Sequence, residues 1–283
     1  MSKEIRIAAG IVLYNPDEGR LRQNIEAILP QVDALYIVDN ASQNAEVIDQ
    51  LLASYGLSAL RNATNAGIAA ALNQLMQMGE QTQMDWVLTL DQDSVCPPDL
   101  IDRMRPYAVS QSQAGILCPV IVDRSFGIER AASPAQEFSI VKECITSASL
   151  TLVKAWRQAG GFDERLFIDA VDTDFCLSLQ EHGWQVARIN GLQLLHEIGH
   201  AATCHRVFGR TYIAFNHVPM RYYYISRNMV YLSRKHPGFL RPAPWRARCT
   251  MMARMGVILL WEREHKLRKA QQIVRGILDG SKL

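Results

Sequence analysis

Residues 86–93 read Trp86-Val87-Leu88-Thr89-Leu90-Asp91-Gln92-Asp93, a short apolar run followed by two carboxylates one residue apart. Runs of this kind are typical of buried strands, and this is the fourth in a series that begins with residues 5–13, 35–38 and 57–60. Segments with helical spacing separate the runs; the first places apolar side chains at i, i+4, i+7 and i+8, at Leu21, Ile25, Ile28 and Leu29. This β-α-β-α-β-α-β order predicts an α/β fold, with a mostly parallel sheet covered by helices.

After residue 97 the alternation of apolar runs and helical segments becomes less regular. We predict further strands at residues 115–122 and 144–153, a helix at 172–181, and short strands at 185–189 and 192–195. From about Pro219 the chain is typical of helices, with breaks near Pro237 and Pro242. We therefore expect one α/β domain over residues 1–234 and a helical extension over 235–283.

Composition narrows the class of protein. Of the 283 residues, 48% are hydrophobic and 20% are charged, which excludes a disordered, collagen-like or small disulfide-dependent chain. The six cysteines form no C-x-x-C pair, so we expect reduced thiols and a cytoplasmic protein. No signal peptide is evident, and the apolar stretch at 251–261 is too short to span a bilayer and contains Arg254.

The net charge of +2 conceals a division along the chain. Residues 1–220 carry 16 basic and 25 acidic side chains, a net charge of −9, whereas residues 221–283 carry 14 and 3, a net charge of +11. The basic segment also contains many apolar residues, which suits a helix at the surface of an anionic membrane. Packing on the body of the protein or in a homo-oligomer is the alternative. The acidic body argues against a nucleic-acid channel.

Polar side chains follow three of the predicted strands, where each strand ends. They are Tyr14-Asn15, Asp39-Asn40 and Asp91-Gln92-Asp93. Ligands of open α/β sheets bind beyond the carboxyl ends of the strands, so these residues are candidates for a binding site. Asp91 and Asp93 could share a divalent cation with phosphate oxygens, since Mg²⁺ prefers one or two carboxylates plus phosphates. The alternative is an exposed acidic turn before Pro97.

A second acidic cluster follows Gly160-Gly161-Phe162. Its members are Asp163, Glu164, Asp169, Asp172 and Asp174. Some can cap the helix that begins near Asp172, because acids are favoured at helix N-termini. The cluster is larger than a cap requires, so we expect at least one member to act as a general base.

His196-Glu197-Ile198-Gly199-His200 matches the zinc-peptidase pattern H-E-x-x-H. That chemistry needs both histidines on one helical face and a third protein ligand. Here the motif follows an apolar, strand-like run, contains Gly199, and has no acidic residue after it until Glu262. We keep a zinc metallopeptidase only as an alternative, beside a non-catalytic nucleotide-binding or membrane-associated protein.

Several motifs together resemble the inverting nucleotide-sugar glycosyltransferases of family 2, and within them the bacterial rhamnosyltransferases. The matching segments are residues 11–16 (IVLYNP), 38–42 (VDNAS), 65–69 (NAGIA), 91–94 (DQDS), 161–164 (GFDE), 169–176 (DAVDTDFC), 221–224 (RYYY) and 227–228 (RN). The ordered set covers roughly residues 5–230. The resemblance implies a GT-A fold, with a Rossmann-like sheet, flanking helices and a C-terminal helical extension.

The resemblance also implies roles for particular residues. Nucleotide-sugar contacts fall on Tyr14, Asn15, Asp39, Asn65, Gly67, Asp91, Ser147, Arg221 and Arg227. Asp93, with Asp91 and His196, would bind Mg²⁺ or Mn²⁺. Asp172 matches the general base, and Asp169 is its possible partner or rival, because Val171 stands where relatives often have Glu. Relatives also frequently have Gly after the serine of the donor-sugar loop, where this chain has Ala148.

The implied function is transfer of a sugar with inversion, L-rhamnose from dTDP-L-rhamnose, to a glycan or lipid-linked saccharide. Such a product belongs to bacterial surface polysaccharide of the O-antigen, lipopolysaccharide or capsule type, made at the cytoplasmic face of the plasma membrane. Arg227 and the metal at Asp93 would stabilise the leaving diphosphate. We expect the acceptor pocket in the loops at 123–137 and 201–218.

Overall fold

The computed structural model describes residues 5–123, 136–196, 203–207, 210–214, 216–238, 244–262 and 264–283. The chain divides into two compact units. The sheet unit comprises Met1–Arg165 and Val171–His196, and the helical unit comprises Leu166–Ala170 and Glu197–Leu283. This division differs from the domain boundary expected after residue 234.

The sheet unit contains eight strands and six α-helices among its described residues. In chain order they are β1 (Ile7–Leu13), α1 (Glu18–Ile28), β2 (Ala34–Asp39), α2 (Ala45–Ala53), β3 (Ala59–Arg61), α3 (Ile68–Gln81), β4 (Trp86–Asp91), α4 (Leu100–Ser110), β5 (Ala114–Asp123), β6 (Phe138–Val141), β7 (Ser149–Leu152), α5 (Val153–Gln158), α6 (Val171–Glu181) and β8 (Gln185–His196). Short 3-10 helices lie at Leu29–Gln31 and Glu164–Leu166.

One mixed sheet runs in the order β3-β2-β1-β4-β7-β5-β8-β6. The half formed by β3, β2, β1 and β4 is parallel, β5 and β8 are also parallel, and β6 and β7 pair antiparallel with their neighbours. Strand β1 is buried along its whole length. Continuous burial of this kind is expected where helices cover both faces of a sheet. The predicted α/β fold with a mostly parallel sheet is therefore confirmed.

The first four strands and three helices lie where the apolar pattern predicts them. The prediction for residues 144–153 is wrong in part, because the strand there is only Ser149–Leu152 and helix α5 follows it. The two predicted short strands are one, β8, in which a register shift opposite Pro119 and Val120 accommodates residues 190–192. Helix α4 was missed because Pro106, a residue that disfavours helix interiors, lies inside it.

The helical unit contains a hairpin and three α-helices among its described residues. Strands β9 (Thr203–Val207) and β10 (Arg210–Ala214) pair antiparallel within a region expected to be a loop. The helices are α7 (Pro219–Lys235), α8 (Pro244–Trp261) and α9 (Lys266–Gly280). The predicted C-terminal helices are confirmed. None of the helices in the described ranges is long and apolar enough to cross a membrane.

A buried polar cluster joins the three helices of this unit. Glu262 accepts hydrogen bonds from Lys269, from the Tyr222 hydroxyl and from the Asn216 amide, the last at 3.2 Å. Burial raises the pKa of Glu262, but the hydrogen bonds from Lys269 and Tyr222 outweigh it, and the net shift is downward. The cluster therefore holds a fully compensated ion pair inside the unit.

Candidate active site

The carboxyl ends of β1, β2 and β4 meet at one edge of the sheet unit. Leu13 pairs with Asp39 and Val12 with Asp91, so the three polar segments that follow these strands lie side by side. The Tyr14 amide donates to Gln92 Oε1 at 2.9 Å, and the Asn15 amide donates to Ser42 Oγ at 2.8 Å. The sequence correctly placed these segments together, and the exposed Tyr14 ring stands at their border.

Asp39 is the buried anion of this edge. Its side chain is fully buried, and the guanidinium of Arg61 donates to Oδ2 at 2.8 Å, while the Ser42 amide donates to Oδ1 at 3.1 Å. Arg61 also pairs with Asp49 at 2.9 Å. A buried carboxylate needs such a partner, because an uncompensated charge is costly away from water. The residue pattern does not mark Arg61, because its pairing depends on strand β3 lying beside β2.

The Asn40 side chain makes hydrogen bonds to the loop that contains the predicted residues Asn65 and Gly67. Its Nδ2 donates to Asn65 Oδ1 at 2.9 Å and to the Gly67 carbonyl at 3.1 Å, and its Oδ1 accepts from the Ala66 amide at 2.9 Å. Asn65 Oδ1 also accepts from the Gly67 amide. The loop that enters helix α3 is thus fixed at the same edge as Asp39 and Asp91.

The Asp91-Gln92-Asp93 turn carries the candidate metal ligands. Asp91 ends β4 and is half-buried, and its carbonyl accepts from Asn24 Nδ2 at 2.8 Å. Asp93 is exposed and, within the part of the chain that the structure describes, makes no side-chain hydrogen bond or ion pair. Two hard carboxylates fit Mg²⁺ or Mn²⁺, which takes its remaining ligands from phosphate and water. The described residues contain no group of three or more metal-ligating side chains.

His196 ends strand β8 and aligns with Asp123 in the register. This strand conformation contradicts the helix that the zinc-peptidase motif requires at its first histidine. Residues 197–200 and the side chain of His196 lie outside the described residues. The expected contribution of His196 to the metal site stays a prediction.

Ser147 lies buried in the loop before β7 and shares a hydrogen bond of 2.8 Å with Ser94. The bond ties this loop to the segment that follows Asp93. The next residue, Ala148, is fully buried and has a φ of 56°. Glycine adopts that conformation without strain, which gives a physical reason for the Gly that relatives of the family frequently have there.

Asp172 is the second residue of helix α6 and the best candidate for a general base. Burial raises the pKa of its carboxyl from 3.8 to about 6, against the opposing hydrogen bond from the Thr173 amide at 2.9 Å. A cavity of about 10 Å³ lies against it, lined also by Thr89, Cys144 and Ser149. That volume suffices for about one water molecule. The carboxylate is therefore ionised at neutral pH yet more basic than an ordinary aspartate.

Asp169 belongs to the helical unit, not to the unit that carries Asp172. It pairs with Arg221, whose Nη2 lies 3.1 Å from Oδ1 and whose Nε lies 3.2 and 3.3 Å from the two oxygens. Its backbone φ is 65°. A carboxylate held by a guanidinium through several charge-assisted hydrogen bonds suits an anchoring role better than proton transfer.

Arg227 also makes its contacts inside the helical unit. Its Nη2 donates to the Leu166 carbonyl at 2.9 Å, its Nε donates to Asn228 Oδ1 at 2.9 Å, and its guanidinium lies 4.8 Å from the ring centroid of Tyr224. The diphosphate contacts expected for Arg221 and Arg227 stay predictions. Asn228 stands in one of the motifs that resemble the family, but the sequence predicts no role for it.

Residues 9–151 match the model of Glycosyl transferase family 2. The dTDP-rhamnosyl transferase RfbF of Shigella flexneri is 28% identical over an alignment of 244 residues that covers 81% of this chain and 80% of that protein. The N-acetylglucosaminyl-diphospho-decaprenol L-rhamnosyltransferase of Mycobacterium tuberculosis is 24% identical over 262 residues, with 77% and 80% covered.

Two solved structures share the fold. The mannosyltransferase PcManGT from Pyrobaculum calidifontis, in complex with GDP-Man and Mn²⁺, has a TM-score of 0.62 at 12% identity, over 99% of this chain and 87% of its own. GalNAc-T7 with UDP, GalNAc and Mn²⁺ has a TM-score of 0.60 at 12% identity, over 90% and 55%. They confirm the expected GT-A fold. Because the family model covers half of the chain and spans the edge built by β1, β2 and β4, this chain belongs to glycosyl transferase family 2.

Proposed function

We propose that this family 2 enzyme transfers L-rhamnose from dTDP-L-rhamnose, with inversion, to a lipid-linked saccharide that becomes bacterial surface polysaccharide. Two observations support the substrate class: both relatives are named as rhamnosyltransferases, and one is named for a polyprenyl diphosphate acceptor. The observation that carries the reaction type is Asp172, a single carboxylate of raised pKa beside a small cavity in the sheet unit.

The reaction assigned to Asp172 is a direct displacement. Its carboxylate takes the proton of the acceptor hydroxyl, while the acceptor oxygen forms a bond to the anomeric carbon and the bond from that carbon to the diphosphate oxygen breaks. Nucleoside diphosphate leaves with the bonding electron pair, and the configuration at the anomeric carbon is inverted. No residue of the enzyme becomes covalently attached to the sugar.

The sheet edge supplies the binding part of the proposal. Tyr14, Asn15 and the Asp39–Arg61 pair border the expected nucleoside position, and Asn40 fixes the Asn65–Gly67 loop beside it. Asp91 and Asp93 would hold the cation. When bound, Mg²⁺ or Mn²⁺ supplies positive charge that stabilises the departing diphosphate.

A thermal-shift panel of nucleotide sugars tests the donor. The protein is heated with dTDP-L-rhamnose, UDP-glucose or GDP-mannose, each with and without Mn²⁺. We expect the melting temperature to rise with dTDP-L-rhamnose and Mn²⁺, because ligands that bind only the folded state stabilise it. An equal or larger rise with a UDP- or GDP-sugar would contradict the proposed donor.

The helical unit offers a surface for the lipid side of the acceptor. Helix α9 exposes an apolar stripe of Leu267, Val274 and Leu278, with side chains 82%, 50% and 60% exposed. Arg268, Arg275 and Lys282 are exposed beside it at helical spacing. An apolar stripe flanked by cations fits the surface of an anionic bilayer, whereas the net charge of +11 over residues 221–283 disfavours pairing with a second copy.

Vesicle flotation tests this surface. The wild-type protein is expected to float with phosphatidylglycerol-containing vesicles and not with pure phosphatidylcholine vesicles, and Leu267→Gln/Leu278→Gln is expected to lose the binding. Val109→Gln is the matched control, since Val109 is 66% exposed on the sheet unit. Undiminished binding of the double variant, or dimerisation that depends on the stripe, would overturn the proposed membrane contact.

A further inference from the structure

The loop Leu166–Ala170 has an unusual backbone. Phe167, Asp169 and Ala170 have φ values of 61°, 65° and 62°, in the left-handed region that favours glycine. None of the three is glycine, so each residue costs conformational free energy. Three such residues within four positions persist only where surrounding contacts determine the conformation.

One side chain supplies most of those contacts. Asn228 is fully buried on α7, and its Nδ2 donates to the carbonyls of Leu166 at 2.9 Å, Ile168 at 2.7 Å and Asp169 at 2.7 Å. The amide has two hydrogens for three acceptors, so one hydrogen is shared. Its Oδ1 accepts from Arg227 Nε, which fixes the orientation of the amide. The loop carbonyls thus converge on a single donor group.

The same face of α7 holds the loop side chains. Arg221, Tyr224 and Asn228 are spaced i, i+3 and i+7, which places them on one side of a helix. Arg221 pairs with Asp169, and the Tyr224 ring stacks on Phe167 with centroids 5.0 Å apart and planes 18° apart. This face of α7 therefore contacts both the backbone carbonyls and the side chains of the loop.

We propose that Asn228 is a positioning residue for the loop Leu166–Ala170, which carries Asp169 and continues directly into the helix that carries Asp172. By holding Leu166–Ala170 in its left-handed conformation, Asn228 fixes Asp169 and the backbone of Ala170, the last residue before α6. Ala170 is bonded to Val171, the first residue of α6, and Asp172 is the second. The effect on catalysis rests on the proposed role of Asp172 as base; the effect on the loop does not.

The first test substitutes Asn228→Ala and reads the loop directly. In hydrogen exchange without substrate, we expect faster exchange in the peptide that spans residues 163–172, since the carbonyl contacts are lost. With dTDP-L-rhamnose, we expect kcat to fall on the order of tenfold to a hundredfold, the size typical of a misplaced catalytic group.

A rescue experiment separates positioning from general damage. Ala170→Gly removes the backbone strain at one loop position, because glycine adopts a φ near 60° freely. Asn228→Ala/Ala170→Gly is therefore expected to recover part of the lost kcat and slow the exchange again. The control is Asn228→Ala/Ala159→Gly, since Ala159 has a φ of −76° and gains nothing from glycine. Arg221→Gln, which removes only the ion pair to Asp169, gives a milder variant if Asn228→Ala fails to fold.

The outcomes are distinct. Unchanged exchange in the 163–172 peptide of Asn228→Ala, or in that of Arg221→Gln where the first variant does not fold, would overturn the proposal. So would equal recovery with both glycine variants. Faster exchange and glycine rescue of the loop, together with an Asp172→Asn variant that keeps full transfer, would instead leave the loop contacts standing and refute the base on which the catalytic effect depends.

Discussion

The raised pKa of Asp172 carries a direct consequence for catalysis. Because burial raises this pKa to about 6, the carboxylate gains a proton as the pH falls through that value and can no longer accept one from the acceptor. We predict that kcat is constant above about pH 7 and falls about tenfold per pH unit below 6. A rate profile from pH 5 to 8 measures this, and a flat profile would refute the assignment.

The expected role of Asp93 as a metal ligand leads to a separate prediction. If its carboxylate holds the cation, Asp93→Asn removes one charge from the site and weakens the metal-dependent part of nucleotide binding. We expect calorimetry with dTDP to give an affinity at least tenfold lower than wild type in Mn²⁺, and the same affinity as wild type in EDTA.

The control for Asp93→Asn is Asp99→Asn. Asp99 is an exposed acid of the sheet unit whose closest ion-pair contact is 3.8 Å, so its substitution tests the loss of surface charge alone. Equal metal-dependent binding in Asp93→Asn and wild type would remove Asp93 from the metal site.

Between elements, the turn that follows α5 depends on Asn73 of α3. Asn73 Oδ1 accepts from Trp156 Nε1 at 3.0 Å and from the Phe162 amide at 2.8 Å, and its Nδ2 donates to the Phe162 carbonyl at 2.9 Å. This buried network explains the second glycine of the pair before Phe162, since a Cβ at Gly161 would lie 2.9 Å from Asn73 Oδ1.

The glycine pair gives a matched experiment. Gly160 and Gly161 have φ values of 83° and 79°, but a Cβ at Gly160 would meet nothing within 4 Å. We predict that Gly160→Ala lowers the free energy of unfolding by about 1–2 kcal/mol, the cost of backbone strain. Gly161→Ala is predicted to cost about 1–3 kcal/mol more, because it also disrupts buried hydrogen bonds. Urea denaturation measures both, and equal losses would contradict the role of Asn73.

Elements and site residues differ in how far the sequence predicts them. Apolar periodicity located β1 to β4 and α1 to α3, and the rule for parallel strand ends placed Asp39 and Asp91 at one edge. Arg61 and Asn228 were missed because their partners are distant in sequence and, for Asn228, are backbone carbonyls, which no residue pattern marks. Helix α4 was missed because Pro106 locally disfavours a helix. The register shift in β8 was missed because it depends on pairing with β5, which is distant in sequence.

In the helical unit, the structure shows where the charged side chains of the basic C-terminal segment lie. The helical unit buries one of its few carboxylates, Glu262, against Lys269. Six of the cations whose side chains the structure describes there are exposed: Arg206, Arg234, Lys266, Arg268, Arg275 and Lys282. A buried pair of this kind contributes little net stability when intact but is costly to break, because removal of one partner leaves a buried charge.

The difference between removing one partner of this ion pair and removing both is testable in the helical unit. We predict that Lys269→Met lowers the free energy of unfolding by about 3–5 kcal/mol, because Glu262 is then uncompensated. In Glu262→Gln/Lys269→Met no charge remains, and much of the loss is expected to be recovered. Chemical denaturation followed by circular dichroism provides the measurement, and a double variant as unstable as Lys269→Met would show that lost packing dominates.

One comparison decides whether Asp172 is the base of the proposed sugar transfer. Transfer of labelled rhamnose from dTDP-L-rhamnose to the proposed lipid-linked saccharide acceptor is followed for wild type and Asp172→Asn, with dTDP affinity measured on the same preparations. Asparagine keeps the shape but accepts no proton, so we predict a rate lower by about 10²–10⁴-fold at unchanged dTDP affinity. Transfer by Asp172→Asn at the wild-type rate would show that Asp172 is not the base.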